Sequence, residues 1–111
     1  MKYPADEKII DDVKKFIAQL KKAINIESAY LFGSYVKGTD KDYSDIDVAI
    51  VSDSFEGFVL ADIEKIVNST NNINRMIEPH PFRTEDFTED NPFVKEIITT
   101  GIEINWTFLR G

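Results

Sequence analysis

The chain has 111 residues, a formal net charge of −7, no cysteine, and 42% hydrophobic against 30% charged residues. That length suits a single domain spanning 1–111, and the balance excludes a disordered chain, a disulfide framework and thiolate chemistry. The acidity opposes a nucleic-acid groove tracked by Lys and Arg, and the apolar runs are too short to span a membrane. The N-terminal stretch MKYPADEKIIDD lacks the apolar segment of a signal peptide, so a cytoplasmic setting is expected.

The first predicted element is a helix from Ala5 to about Ala23. Ile9, Ile10, Val13, Phe16, Ile17, Leu20 and Ile24 recur at spacings of three and four and make one apolar stripe. Asp6 and Glu7 near its start and lysines near its end suit the helix dipole. In so acidic a chain Lys14, Lys15, Lys21 and Lys22 read as a solvated flank rather than a nucleic-acid face. Ala29–Phe32 is a short buried strand ended by Gly33. Asp45–Val51 is a second strand, with Ile46, Val48 and Ile50 on one face and Asp45, Asp47, Ala49 and Val51 on the other.

Ser52, Asp53 and Ser54 supply a turn and a helix cap, and Val59, Leu60, Ile63, Ile66 and Val67 form the stripe of a second helix. Ile73–Glu78 is a third strand, terminated by Pro79 and Pro81. Asn91-Pro92 caps a third helix with Phe93, Val94, Ile97 and Ile98 on its buried side and Gly101 as its C′ residue. Ile102, Ile104, Trp106 and Phe108 alternate with polar residues in a last strand. This order predicts an α+β, two-layer architecture: a mixed sheet with helices packed mainly on one face and part of the other face open.

Two stretches carry chemistry. Residues two apart on a strand share a face with α-carbons roughly 6.5 Å apart, so Asp45 and Asp47 project as a pair. Two carboxylates at ~4 Å repel by about 4 kcal/mol at an effective dielectric of 20, which favours a cation between them. Oxygen-only donors suit Mg²⁺ or Mn²⁺. Upstream, Gly33 permits close backbone approach, and Ser34 opens a helical turn whose amide and hydroxyl can donate to phosphate oxygens. Lys37 or Lys41 can add positive charge there, and Gly38 lets the chain reverse toward the aspartates. Taken singly, an Asp-x-Asp pair is an ordinary polar strand face and a Gly-Ser step an ordinary turn.

Together, Gly33-Ser34, Gly38 and Ser44-Asp45-Ile46-Asp47 form the pattern G-S-x3-G-x5-S-D-x-D. In this the chain resembles the minimal nucleotidyltransferases of the DNA polymerase beta superfamily, and among them the small proteins encoded beside a HEPN-domain partner. The resemblance implies a palm-like nucleotidyltransferase fold and transfer of a nucleoside monophosphate, AMP from ATP, with release of pyrophosphate. It places Gly33, Ser34, Lys37 and Ser44 on the nucleotide's phosphates and Asp45 and Asp47 on divalent metal, Mg²⁺ or Mn²⁺. It implies a tyrosine of a HEPN-type RNase as acceptor, and hence an antitoxin. A non-catalytic antitoxin that neutralises by binding alone is the alternative, and transfer to a small molecule or an RNA end ranks third.

The resemblance also calls for a third carboxylate from a neighbouring strand. Glu78 is the candidate, as metal ligand and general base, although relatives often carry Asp there, just as they often carry Arg in place of Lys37. Glu85, Asp86, Glu89 and Asp90 are alternatives expected to face solvent. His80, the single histidine, reads as a surface or locally bonded loop residue. Trp106 is expected in the core, and Tyr43 beside the aspartates is open to either role.

Overall fold

The structure is a computed structural model, and it describes residues 7–39, 45–70 and 73–104. Its elements run α1 (Glu7–Leu20), β1 (Ser28–Phe32), α2 (Ser34–Lys37), β2 (Ile46–Ser52), α3 (Val59–Ser69), β3 (Ile77–Arg83), a 3-10 turn (Thr84–Asp86), α4 (Pro92–Thr100) and β4 (Ile102–Glu103). The sheet has the order β3-β2-β1-β4. β1 is antiparallel to both β2 and β4, whereas β2 and β3 are parallel, so the sheet is mixed as expected.

Period-two alternation sorts the sheet's side chains into two cores. Ala29 and Leu31 of β1 and Ile46, Val48 and Ile50 of β2 pack on one face against Val13, Phe16, Ile17 and Leu20 of α1 and Ile66 of α3. The opposite face carries a smaller cluster of Phe32, Ala49 and Ile97, flanked by Tyr30, Phe82 and Phe87. α4 thus covers part of the second face. At a rough 25 cal/mol per Å² of apolar surface, burial on the first face dominates the stability of the fold. Among the described residues no helix is long and apolar enough to cross a membrane.

Several predicted boundaries shift. The first helix ends at Leu20, and residues 21–24 continue as a terminal turn in which the Lys21 amide still reaches the Ile17 carbonyl at 2.9 Å. The third strand runs Ile77–Arg83, straight through Pro79 and Pro81. It can do so because, among the described residues, β3 is an edge strand. Prolines two apart place their missing donors on one side, away from β2, where no ladder bond is lost.

The stripe assigned to the second helix holds only at Ile63 and Ile66. Leu60, Val59 and Val67 are exposed, while Ile66 and Asp62 are buried. Asp62 turns inward because its carboxylate accepts the amides of Glu56 and Gly57, each at 2.9 Å. Ser52, Asp53 and Ser54 do form a turn, in which the Ser54 amide donates to Ser52 Oγ at 2.9 Å, but they do not cap α3, which starts at Val59.

Asn91 caps α4 as expected, its Oδ1 accepting the amides of Phe93 at 2.9 Å and Val94 at 3.4 Å. Val94 and Ile97 are buried, but Phe93 is 45% exposed. Gly101 ends the helix in extended backbone, φ −79° and ψ 173°, rather than in the left-handed conformation of a C′ glycine. Ile102 pairs with Leu31, and the buried Ile104 continues the last strand's apolar face. Trp106, Phe108 and Tyr43 lie outside the described residues.

Candidate active site

The candidate site forms where β1 ends and β2 and β3 begin. Asp47, second residue of β2, stands opposite Phe32 of β1 and Glu78 of β3. Partners across a ladder point to the same face, so the parallel register brings the Asp47 and Glu78 carboxylates together from sequence positions far apart. Asp45 immediately precedes β2 and is exposed. Its carboxyl is among the groups that raise the pKa of Glu78. Asp47 and Glu78 therefore converge, and Asp45 is close enough to Glu78 to influence its carboxyl.

His80 joins them. It shares the face of Glu78 two residues further along β3, and its Nε2 lies 3.0 Å from Asp47 Oδ1. Edge-on packing against Phe32, with ring centres 5.0 Å apart, holds the imidazole there. The reading of His80 as a surface or locally bonded loop residue is thereby corrected. A strand extended through both prolines would have put His80 on the face of Glu78, and that was the signal available in the sequence.

Electrostatics bear out the crowding. Glu78 is exposed at the edge of the sheet; what burial it has pushes its carboxyl above its ordinary value, and the neighbouring Asp45 and Asp47 push it further, against a lowering by His80. Carboxylates at ~4 Å cost one another about 4 kcal/mol at an effective dielectric of 20, a penalty that a divalent cation reverses. One donor atom from each of Asp47, Glu78 and His80 lies within 4.8 Å of the other two. The donor set fits a hard or borderline dication.

Gly33 makes room for this cluster. It caps α2 with φ 87° and ψ −149°, a region essentially restricted to glycine. A Cβ built there would stand 2.5 Å from Asp47 Oδ2. The glycine is thus required twice, once by the backbone and once by the carboxylate beneath it. Its carbonyl accepts the Val36 and Lys37 amides at 3.1 and 3.0 Å and so forms the single turn that Ser34 opens. Gly38 closes α2 in left-handed backbone.

Lys37 reaches α4, where its Nζ is 2.9 Å from Glu96 Oε2 in an exposed ion pair. Glu85 and Asp86 pair with Arg83, at 3.3 and 2.6 Å, and with Glu89 and Asp90 they face solvent. Ser44 and Lys41 lie outside the described residues.

The start of β3 is itself pinned. Asn74 donates from Nδ2 to Asp12 Oδ2 at 2.9 Å and accepts the Met76 amide on Oδ1 at 2.9 Å. Met76 in turn accepts the Ile46 amide at 2.8 Å. A buried carboxylate on α1 thereby sets where β3 begins, one residue before Glu78.

The family described as "Polymerase beta, Nucleotidyltransferase" matches residues 14–106 of the sequence. Among solved structures, a Sulfolobus solfataricus protein described as "a putative nucleotidyltransferase" superposes with a TM-score of 0.62 at 15% identity. The superposition covers 86% of this chain and 78% of that one. At that identity the likeness is one of fold. No curated protein matches the sequence.

Proposed function

Because this chain belongs to the polymerase beta nucleotidyltransferase family, we propose that it transfers AMP from ATP to a hydroxyl group on a protein partner. Asp45, Asp47 and Glu78 would hold the divalent cation, Mg²⁺ or Mn²⁺. When bound, such an ion supplies charge to the triphosphate and to the oxygens that attack and leave phosphorus.

The chain's own residues do the rest. The turn from Gly33 to Lys37 would present backbone and the Ser34 hydroxyl to the phosphates, a role that the resemblance extends to Lys37 and Ser44. The acceptor oxygen attacks the α-phosphorus, the bond from that phosphorus to the bridging oxygen of the β-phosphate breaks, and pyrophosphate leaves. The acceptor's proton passes to Glu78 as general base. Positioning and charge carry most of the catalysis in such transfers.

The resemblance to minimal nucleotidyltransferases supplies the acceptor: a tyrosine of a HEPN-type RNase in the cytoplasm, whose modification makes this protein an antitoxin. The observation that carries the reading is the convergence of the acidic side chains opposite a glycine whose missing Cβ leaves space for Asp47. The test incubates both proteins with labelled ATP and Mg²⁺ or Mn²⁺. Label is expected on the partner with wild type and not with Asp47→Asn. Undiminished label with Asp47→Asn would sink the transfer reading. Neutralisation that survives Asp45→Asn plus Asp47→Asn without ATP would replace it by simple complex formation.

A further inference from the structure

His80 has no part in a site made of carboxylates alone, yet its imidazole sits inside the cluster. Its Nε2 stands 3.0 Å from Asp47 Oδ1, and the donor atoms of Asp47, Glu78 and His80 all fall within 4.8 Å of one another. Around a six-coordinate ion with bonds of about 2.1 Å, adjacent donors are about 3.0 Å apart and opposite ones about 4.2 Å. The Asp47–His80 pair already has the spacing of adjacent donors on one small cation, and a Glu78 oxygen lies within 4.8 Å of both. The imidazole is also well held. The ring packs edge-on to Phe32 at 65°, and across the ladder it faces Ala49, whose short side chain leaves it space.

We propose, resting on the nucleotidyl-transfer reading of the same site, that Asp47, Glu78 and His80 form a mixed carboxylate–imidazole site that selects Mn²⁺ over Mg²⁺. Mg²⁺ prefers oxygen and gives up its water reluctantly, whereas imidazole nitrogen suits transition metals. Replacing one oxygen donor by nitrogen therefore shifts preference within the ions that support phosphoryl chemistry. Asp45 stays an oxygen donor beside Glu78.

The test uses the full chain stripped of metal and loaded with Mn²⁺ alone. Pulsed electron paramagnetic resonance of the wild type is expected to show nitrogen hyperfine coupling to Mn²⁺, and His80→Ala to lose it. Calorimetry is expected to give Mn²⁺ affinity about tenfold or more above Mg²⁺, with that advantage mostly lost in His80→Ala. A wild-type Mn²⁺ spectrum without nitrogen coupling, or no Mn²⁺ binding, overturns the proposal. Equal weakening of both ions by His80→Ala does the same. The wild-type spectrum decides the matter even where the variant folds poorly. Nitrogen coupling without transfer would uphold the cation site and defeat the transfer reading, whereas transfer without nitrogen coupling would defeat the cation site alone.

Discussion

Replacing Gly33 by alanine tests how the site is built. The native backbone there, φ 87° and ψ −149°, costs a non-glycine residue about 1–3 kcal/mol. The added methyl would also lie 2.5 Å from Asp47 Oδ2. To restore an ordinary contact the carboxyl must retreat by about 0.5–1 Å, at the expense of its 3.0 Å contact with His80, worth ~1 kcal/mol. Together these predict a destabilisation of roughly 2–4 kcal/mol, or a fall in Tm of about 10–20 °C for a domain of this size. Misplacing a catalytic carboxylate by ~1 Å is expected to reduce transfer about 100-fold.

Thermal unfolding and transfer rates measure both effects, and a double-mutant cycle separates them. In an Asp47→Ala background the clash is gone, so Gly33→Ala should cost only its backbone share, with a coupling of ~1 kcal/mol. Gly38→Ala is the control. Gly38 is left-handed, but among the described residues nothing lies within 4 Å of an added Cβ, so a loss of about 1 kcal/mol and near-native transfer are expected. Wild-type stability and turnover in Gly33→Ala, or no coupling to Asp47, would refute the reasoning.

Further expectations concern charge. Glu78 has a raised pKa in the folded state, so the metal-free protein should lose stability as pH rises from below the ordinary 4.5 through the folded value. Glu78→Gln should remove that slope and, in melts with chelator, be the more stable protein above it, while transfer falls about 100-fold or more. Asn74→Ala should cost ~2 kcal/mol through its lost bonds to Asp12 and the Met76 amide. Burial would raise the Asp12 pKa, but hydrogen bonds from Asn74 and Lys8 hold it below 3.8, so the deficit of Asn74→Ala in acid titrations should shrink as pH falls through that lowered value. Lys37→Ala and Glu96→Ala should each change stability by less than about 1 kcal/mol, because both partners are exposed. Only Lys37→Ala should raise the KM for ATP, and equal effects from both would assign Lys37 to the ion pair alone.

Much of this molecule is readable one element at a time. The stripe of Val13, Phe16, Ile17 and Leu20 is buried along α1 as the helical period requires, and Asn91 caps α4 as its position before Pro92 requires. Asp47 falls on the face opposite Ile46 and Val48 because strand periodicity is local. These are short-range properties, set by the backbone's own repeat and by side chains that bond within one turn.

Other features needed the partner elements. The phase of α3 follows Asp62, whose burial depends on amides in the preceding loop rather than on hydropathy. Proline punctuation stopped the predicted third strand at Glu78, yet a proline costs a strand only the donor on one side, and among the described residues the sheet order leaves that side of β3 without a neighbour. The sequence by itself determined that an acidic pair would sit at the mouth of a buried strand, behind a glycine and a serine. Tertiary structure alone decided that Glu78 would lie level with Asp47 and that His80 would close the cluster. Register between strands is set by contacts between distant segments, such as Asn74 with Asp12, and no local pattern encodes it.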